Sequence, residues 1–311
     1  MERPLLKPWY RLSVEGGRSI LRYAGSVLEF EGKAAELLVP HLLPLLDGTR
    51  TVDAVVDELG EPVRPAVEHA LALLRAHDLL TERAPDDAGE GARRCAELLA
   101  ATDPAGRTVA ELHGRLATVD VHVLGNGPAA EPIGRLLQAS GVGSVASLEW
   151  DGRPPAGGFV VAVPTSGELP LLERWNERAL LSHTTWLQVL PFDGRLAAVG
   201  PVFVPGQTAC HECFRTRRDS TIAPSPDRTT GSHVGAPALD AVLAGLAAQV
   251  VLRRLAGEDT ADSGVLLAVE LVPELRCTRH FVYRVPRCPA CSPAMQRAAA
   301  APWNGAHDVA A

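Results

Sequence analysis

The stretch VHVLGNGPAAEPIGRLLQASG at residues 121–141 predicts a strand, a glycine-containing turn and a helix. Its turn has the spacing G-x-G-x-x-A through Gly125, Gly127 and Ala130. In Rossmann-type folds this spacing lets the backbone approach a phosphate group at the start of the helix. The stretch therefore predicts an α/β domain with a turn of the nucleotide-binding type, whose use depends on the residues around it.

Strand and helix patterns alternate after this stretch, which is typical of a Rossmann-type domain. A largely apolar pattern at residues 236–257 predicts a long, buried helix. We assign this α/β domain to residues 119–297. Its further strands include segments predicted at residues 144–150, 159–164, 184–191, 265–272 and 276–285.

Residues 1–82 show a different order, with three short strand patterns followed by three helical patterns. Thr51 is placed to cap the second helix, and Pro62 or Pro65 to open the third. Pro40 lies within the first helical pattern and is expected to kink or interrupt it. This order predicts a winged helix-turn-helix domain. Its strands are WYRLSV (9–14), SILRYA (19–24) and SVLEFEG (26–32).

Two further segments are predicted to lie outside these domains. Residues 83–118 begin with polar, Gly- and Pro-containing sequence and then carry helical patterns, so they predict a linker with connecting helices. Residues 298–311 predict a disordered tail.

The composition argues against several classes of protein. Hydrophobic residues make up 46% and charged residues 22% of the 311 residues, values typical of globular proteins. No apolar run approaches the ~18 residues of a membrane span, and the N-terminus lacks the apolar stretch of a secretory signal. A net charge of −7 argues against general nucleic-acid binding. We therefore expect a cytoplasmic protein with neither a membrane nor a nucleic-acid partner.

Four of the six cysteines form two C-x-x-C pairs, Cys210/Cys213 and Cys288/Cys291. In a reducing compartment such pairs are more often metal ligands than disulfides. Together the two turns supply the four thiolates of a structural, tetrahedral Zn²⁺ site, which leaves no open position for a catalytic water. Two redox pairs are the alternative, and they require a helix start that stabilises a thiolate.

Several segments resemble known families. VHVLGNGPAAEPIGRLLQASGVGSVASLEWD (121–151), GPVFVPGQTACHECF (200–214) and RCPACS (287–292) together resemble the ThiF-like, ubiquitin-activating-type adenylation fold. LLPLLDGTRTVDAVVDEL (42–59) resembles the PqqD-like RiPP recognition element, a winged helix that binds leader peptides. In this order the two domains resemble the Ocin-ThiF-like proteins. Those are leader-binding partners of YcaO cyclodehydratases in thiazole- and oxazole-forming pathways, including thiopeptide pathways.

The resemblance implies that this chain makes no covalent bonds itself. Its first domain would bind the leader of a ribosomally made precursor peptide, and its second would dock a separate YcaO-type cyclodehydratase. That enzyme would use ATP to convert Cys, Ser or Thr of the precursor to azolines. We therefore predict no catalytic residue, and the resemblance leaves self-association into a homodimer open.

A leader peptide is expected to bind between the strand SVLEFEG and the third helix. An exposed strand edge accepts a peptide strand through its backbone N–H and C=O groups. Side chains on this strand alternate between two faces, and arginines on the helix can pair with acidic leader residues. The predicted peptide-binding residues are Val27, Leu28, Glu29, Phe30, Arg64, Val67, Glu68, Leu71 and Arg75.

We interpret the glycine turn as a vestige of a nucleotide site. Gly125, Gly127 and the acid Asp151 are retained. Pro128, however, removes a backbone N–H from the turn that should donate to phosphate. Pro132 is expected to disturb the helix that follows.

Other parts of a nucleotide site are also missing. Active ThiF-like members carry nucleotide-contacting polar and cationic residues after the second strand, where this chain has the short loop at residues 152–158. No lysine follows Lys33, and residues 221–240 contain no cysteine that could form a thioester. We therefore predict that no nucleotide cofactor is bound.

Two other functions fit parts of the sequence. One is a divergent ThiF-like enzyme that adenylates or otherwise modifies a peptide with ATP. The other is a DNA-binding regulator, but the two arginines of the third helix are offset by Glu61, Glu68 and Asp78. The histidines lack triad or metal spacing, and we interpret them as surface or loop residues; they include His183, His211, His233 and His280.

Overall fold

The chain divides into two compact units in the computed structural model, residues 1–115 and residues 116–311. Each unit is described by itself below. The tail predicted at residues 298–311 lies outside the described residues. The structure describes residues 3–7, 9–15, 18–23, 26–84, 88–221, 235–257, 263–271 and 273–292.

Among its described residues the first unit contains five strands and five α-helices, the last of which ends two residues beyond it. A three-stranded antiparallel sheet has the order β2-β3-β4, and β1 pairs with β5, also antiparallel. Helices α4 and α5 occupy much of the segment predicted as a linker. In chain order the elements are β1 (Pro4–Leu6), β2 (Arg11–Glu15), β3 (Arg18–Tyr23), β4 (Ser26–Phe30), α1 (Lys33–Leu42), α2 (Val52–Leu59), α3 (Arg64–Ala76), β5 (Leu80–Glu82), α4 (Glu90–Thr102) and α5 (Val109–Ala117).

Local sequence explains the helix boundaries of this unit. The Thr51 hydroxyl accepts a hydrogen bond from the Ala54 N–H at 3.2 Å, as predicted for a cap. Pro40 does not end α1, which runs on to Leu42 and into a 3₁₀ turn at Leu43–Leu45. The expected interruption is therefore absent; Pro40 lies in the last turn of α1, where it costs one helical hydrogen bond.

The core of the first unit forms between the sheet and the three helices α1 to α3. Leu21 of β3 is fully buried there, together with apolar residues of each helix. The strands and helices therefore lie where the sequence predicts them, and their assignment to a winged helix-turn-helix stays a prediction. The helical core residues are Val39, Leu42, Val55, Val56, Val67, Leu71 and Leu74.

The second unit is built on one seven-stranded sheet of order β12-β11-β10-β9-β8-β6-β7. Strands β7, β6, β8 and β9 pair in parallel, and β9 to β12 pair antiparallel. The predicted α/β domain is thus confirmed, and its sheet is mixed, with a parallel part from β6 to β9. Its elements are β6 (Asp120–Leu124), α6 (Ala130–Ala139), β7 (Ser144–Leu148), β8 (Phe159–Ala162), α7 (Leu171–Leu181), β9 (Thr185–Leu190), β10 (Leu196–Phe203), α8 (His211–Thr221), α9 (Pro237–Leu255), β11 (Val265–Glu270) and β12 (Arg276–Phe281).

Helix α9 is the long apolar helix expected at residues 236–257. It packs against α6 and against the strands β9 and β10. Leu243, Ala247 and Val251 are buried along it, which confirms the prediction of a buried helix. No helix in the described part of the chain combines the length and hydropathy that a membrane span requires.

Candidate functional site

The four cysteines of the two C-x-x-C pairs come together in the second unit. Cys210 lies just before α8 and Cys213 within it, whereas Cys288 and Cys291 follow β12. The Sγ atoms are 3.8 Å apart for Cys210 and Cys213, 3.7 Å for Cys210 and Cys288, and 3.6 Å for Cys213 and Cys291. All four Sγ atoms lie within 4.8 Å of one another, and none forms a disulfide.

These distances fit a tetrahedral metal site. With a Zn–S bond of about 2.3 Å, two thiolates at tetrahedral angles are about 3.8 Å apart. The Val285 N–H donates to the Cys213 sulfur at 3.3 Å, a contact that favours a thiolate. The Cys210 thiol also donates to Cys213, which lowers the pKa of Cys213 to about 4 and raises that of Cys210. The cluster is therefore compatible with zinc.

His211 lies between the two cysteines of the first pair and is buried, with 6% of its surface exposed. Its backbone N–H donates to Asn176 Oδ1 at 3.0 Å, and its Nδ1 lies 3.0 Å from Gln188 Oε1. Burial lowers its pKa to about 4, so the ring is neutral near pH 7. These contacts tie the first cysteine pair to α7 and β9.

The prediction that the histidines are surface or loop residues is wrong for His211. Three aromatic rings surround it, those of Trp186, Phe203 and Phe214, at centroid distances of 5.9 to 6.1 Å. The sequence carries one signal that could have predicted this burial, the position of His211 between Cys210 and Cys213. His183 and His280 are exposed as predicted, and His233 lies outside the described residues.

The two glycines of the turn pack closely against neighbouring segments of the second unit and hydrogen-bond to them. Gly125 has φ +89°, and a Cβ there would lie 2.9 Å from both Trp150 Cζ2 and the Val163 carbonyl oxygen. The Gly127 N–H donates to that Val163 carbonyl at 2.8 Å. A Cβ on Gly127 would meet the same oxygen at 2.7 Å. Both glycines are therefore required by close packing between the turn and the end of β8.

Two backbone donors of the turn and one nearby arginine have partners within the protein. The Gly127 N–H is taken by Val163, Pro128 has no N–H, and the Gly125 N–H donates to Leu148 at 3.3 Å. A cavity of about 490 Å³ borders the turn, and its lining includes Arg135. That arginine pairs with Glu131 at 2.6 Å.

Trp150 and Arg178 hold the segment that carries the acid Asp151. The Trp150 side chain packs against the core beneath the parallel strands. Arg178 of α7 donates to the Trp150 carbonyl, and to the Gly152 carbonyl at 3.0 Å. Asp151 itself is exposed. Pro132 lies in the first turn of α6, where no helical N–H bond is lost, so the expected disturbance of this helix is absent.

The edge predicted to bind a peptide is formed by β4. Within the described residues β4 pairs with β3 alone, so its other edge is open. Leu28 and Phe30 pack against the core of the first unit. Val27 is 55% exposed and Glu29 is also exposed, so the side chains alternate as the sequence predicts.

Helix α3 offers fewer peptide contacts than the sequence indicated. Val67 and Leu71 are 0% and 1% exposed, so they serve the core and present no surface to a peptide in this fold. Arg64 donates to Glu61 at 2.7 Å and to Asp53 at 2.8 Å, and these hydrogen bonds raise its pKa. Glu68 and Arg75 are exposed.

Comparison with known proteins identifies relatives by fold alone. No protein-family model matches the chain, and no curated protein shows a significant match. Solved structures do match. A heterocyclase in complex with substrate and cofactor has TM-score 0.68 and 24% identity, with 94% of this chain and 40% of that chain covered. The heterocyclase TruD gives TM-score 0.67 and 21% identity over 94% and 43%.

A third match is MccB from E. coli, solved with MccA-N7isoASN. Its TM-score is 0.64 with 14% identity, and the alignment covers 94% of this chain and 99% of that one. The chain therefore shares the fold of MccB. It spans less than half the length of the two heterocyclases.

The packing of the glycine turn can be tested by substitution. Gly127→Ala places a methyl group under 3 Å from two carbonyl oxygens, so we expect it to lower the free energy of unfolding by about 1–3 kcal/mol. Gly245→Ala in α9 meets nothing within 4 Å and is expected to raise it by about 1 kcal/mol. Denaturant unfolding measures both free energies. A Gly127→Ala variant as stable as the wild type would contradict this close packing of the turn.

Proposed function

We propose that this chain is a non-catalytic peptide-binding protein of RiPP biosynthesis. Its first unit binds the leader of a ribosomally made precursor peptide. Its second unit docks a separate YcaO-type cyclodehydratase, which uses ATP to form azolines from Cys, Ser or Thr. The chain raises the effective concentration of precursor at that enzyme and makes no covalent bonds itself.

The two matched heterocyclases are more than twice as long as this chain. The alignments take in both units of this chain, yet they cover 40% and 43% of the two heterocyclases. The rest of each heterocyclase has no match here. In our proposal the cyclodehydratase supplies the corresponding activity as another polypeptide.

The leader binds by adding a strand to β4. The open edge of β4 provides backbone groups, and Val27 and Glu29 project on the face away from the core. Arg75, exposed on α3, is available to an acidic leader side chain. Arg64 contributes less, because Glu61 and Asp53 already engage it.

The single observation that carries the non-catalytic role is the bond from the Gly127 N–H to the Val163 carbonyl. A phosphate bound by the Gly127 N–H would have to displace that bond. Pro128 offers no N–H, and Arg135 is already paired with Glu131.

We assign a structural Zn²⁺ ion to Cys210, Cys213, Cys288 and Cys291. Four thiolates complete the tetrahedron, so the ion would supply cross-linking and no Lewis-acid chemistry toward a substrate. The cysteines would hold the start of α8 against the segment that follows β12. The Val285 N–H and the contacts of His211 orient the ligands from outside the tetrahedron.

Leader binding is tested with a matched pair of edge-strand variants. Val27→Asp on β4 places a charge on the proposed peptide edge, and we expect about tenfold weaker binding of the leader encoded beside the gene. Val14→Asp on β2 is the control, because Val14 is 52% exposed and Val27 55%. Isothermal titration measures both, and Arg75→Glu should also weaken binding. No saturable leader binding by the wild type would refute the proposal.

Catalysis by this chain is tested by exchange between ATP and pyrophosphate. With saturating precursor we expect no exchange above background, since the glycine turn is bonded within the protein. The variant Asp151→Asn should be indistinguishable from the wild type. Exchange that depends on Asp151 would establish an adenylating enzyme in place of a binding protein.

Metal content separates the two interpretations of the cysteines. We expect about one zinc ion per purified chain, and Cys210→Ser should lose most of it and unfold at a lower temperature. Cys277→Ser is the control, because Cys277 is exposed and outside the cluster. Mass spectrometry of the metal and thermal unfolding measure both effects. A wild-type protein that contains no metal, and whose unfolding temperature is unchanged by chelators, would favour redox pairs.

A further inference from the structure

The strand β12 forms one end of the seven-stranded sheet. Within the described residues it pairs with β11 alone, in antiparallel register from Val265 opposite Phe281 to Glu270 opposite Arg276. Its other edge therefore pairs with no strand among these residues. Such an edge is a template for a further strand unless it is protected.

Large apolar side chains are exposed along this edge. Leu275 is 76% exposed, Phe281 62% and Tyr283 65%. The rings of Phe281 and Tyr283 are stacked, with centroids 6.3 Å apart and planes at 26°. Single exposed apolar residues are common on protein surfaces, but a cluster on an unpaired strand marks an interaction surface.

One row of β12 side chains extends a buried face of the sheet. Phe281 lies opposite Val265, and Cys277 lies opposite Val269. Both valines are buried, whereas Cys277, Arg279 and Phe281 are exposed. The apolar face therefore continues onto β12 but is left uncovered there. We call Leu275, Arg279, Phe281, Tyr283 and Arg284 the basic–aromatic strip.

The charge of this region is opposite to that of the whole chain. Residues 274–292 contain four arginines, one histidine and a single acidic residue, Glu274, which pairs with Arg276, although the net charge of the chain is −7. Arg279 lies within the strand, opposite Leu267 of β11. The strip thus favours an acidic partner.

Hydrogen bonds from α8 fix one end of the strip. Arg217 of α8 donates through Nε to the Tyr283 carbonyl at 2.7 Å and through its guanidinium to the Arg284 carbonyl at 3.0 Å. These bonds fix the chain just after β12. A preorganised strand loses less entropy when a partner binds.

We infer that the basic–aromatic strip docks an extended, acidic segment of the separate cyclodehydratase, which adds as a strand to β12. This inference rests on the proposed function and assigns the surface through which the second unit meets its enzyme. Acidic side chains of the segment would pair with Arg279 and Arg284, and apolar ones would cover Phe281 and Tyr283. A second copy of the chain is a poorer occupant, because it would bring the same arginines to the interface.

Titration of the full-length chain with the cyclodehydratase encoded beside its gene tests the inference. Phe281→Glu and, separately, Arg279→Glu are expected to weaken that binding at least tenfold. Leu181→Glu is the control, because Leu181 is 84% exposed and lies on α7. Unchanged zinc content and thermal unfolding establish that each variant is folded. Wild-type affinity should fall as salt rises, and the Arg279→Glu variant should respond less.

Leader affinity, measured on the same samples, separates this inference from the proposed function. Loss of enzyme binding with leader affinity unchanged supports the strip. Wild-type enzyme binding by both variants overturns it and leaves the leader-binding role intact. Dimers that dissociate in Phe281→Glu during sedimentation would also overturn it, in favour of an interface between copies. A wild type that binds no leader refutes the proposed function itself.

Discussion

The hydrogen bond from the Gly127 N–H to the Val163 carbonyl holds the glycine turn against the end of β8, at the ends of the parallel strands. A backbone N–H is one donor, so a group already held at 2.8 Å has little left to offer a phosphate. Trp150 packs against Gly125 in the same turn. Here the glycine pattern is explained by packing of a turn against the end of a strand, which requires the same residues as binding a ligand.

The cysteine cluster and α8 together organise the opposite end of this sheet. Cys213 and Arg217 lie on the same helix, one in the cluster and the other bonded to the carbonyls that follow β12. His211 connects that helix to α7 and β9 through Asn176 and Gln188. A metal bound by the four thiolates would therefore stabilise both the helix and the strand end that it supports.

The edges of β4 and β12 differ in the groups they present. β4 carries Val27 and Glu29 on its outer face, and Glu29 contacts Arg18 of the neighbouring strand at 3.4 Å. β12 carries exposed aromatic rings among arginines. Edges of different chemistry select different strands, since charge complementarity contributes more to specificity than to affinity. In our proposal the edge of β4 takes the leader peptide and the edge of β12 takes a segment of the enzyme.

The sequence by itself determined the features that depend on neighbours along the chain. Period-2 and helical patterns predicted the N-terminal strands and the buried helix α9. The position of Thr51 before the second helical pattern predicted that it caps α2. The C-x-x-C spacing predicted which cysteines meet. Tertiary structure alone decided that Val67 and Leu71 enter the core, that His211 is enclosed, and that the Gly127 N–H is occupied. Each of those outcomes depends on groups far away in the sequence, and local patterns carry no information about which of them will pack together.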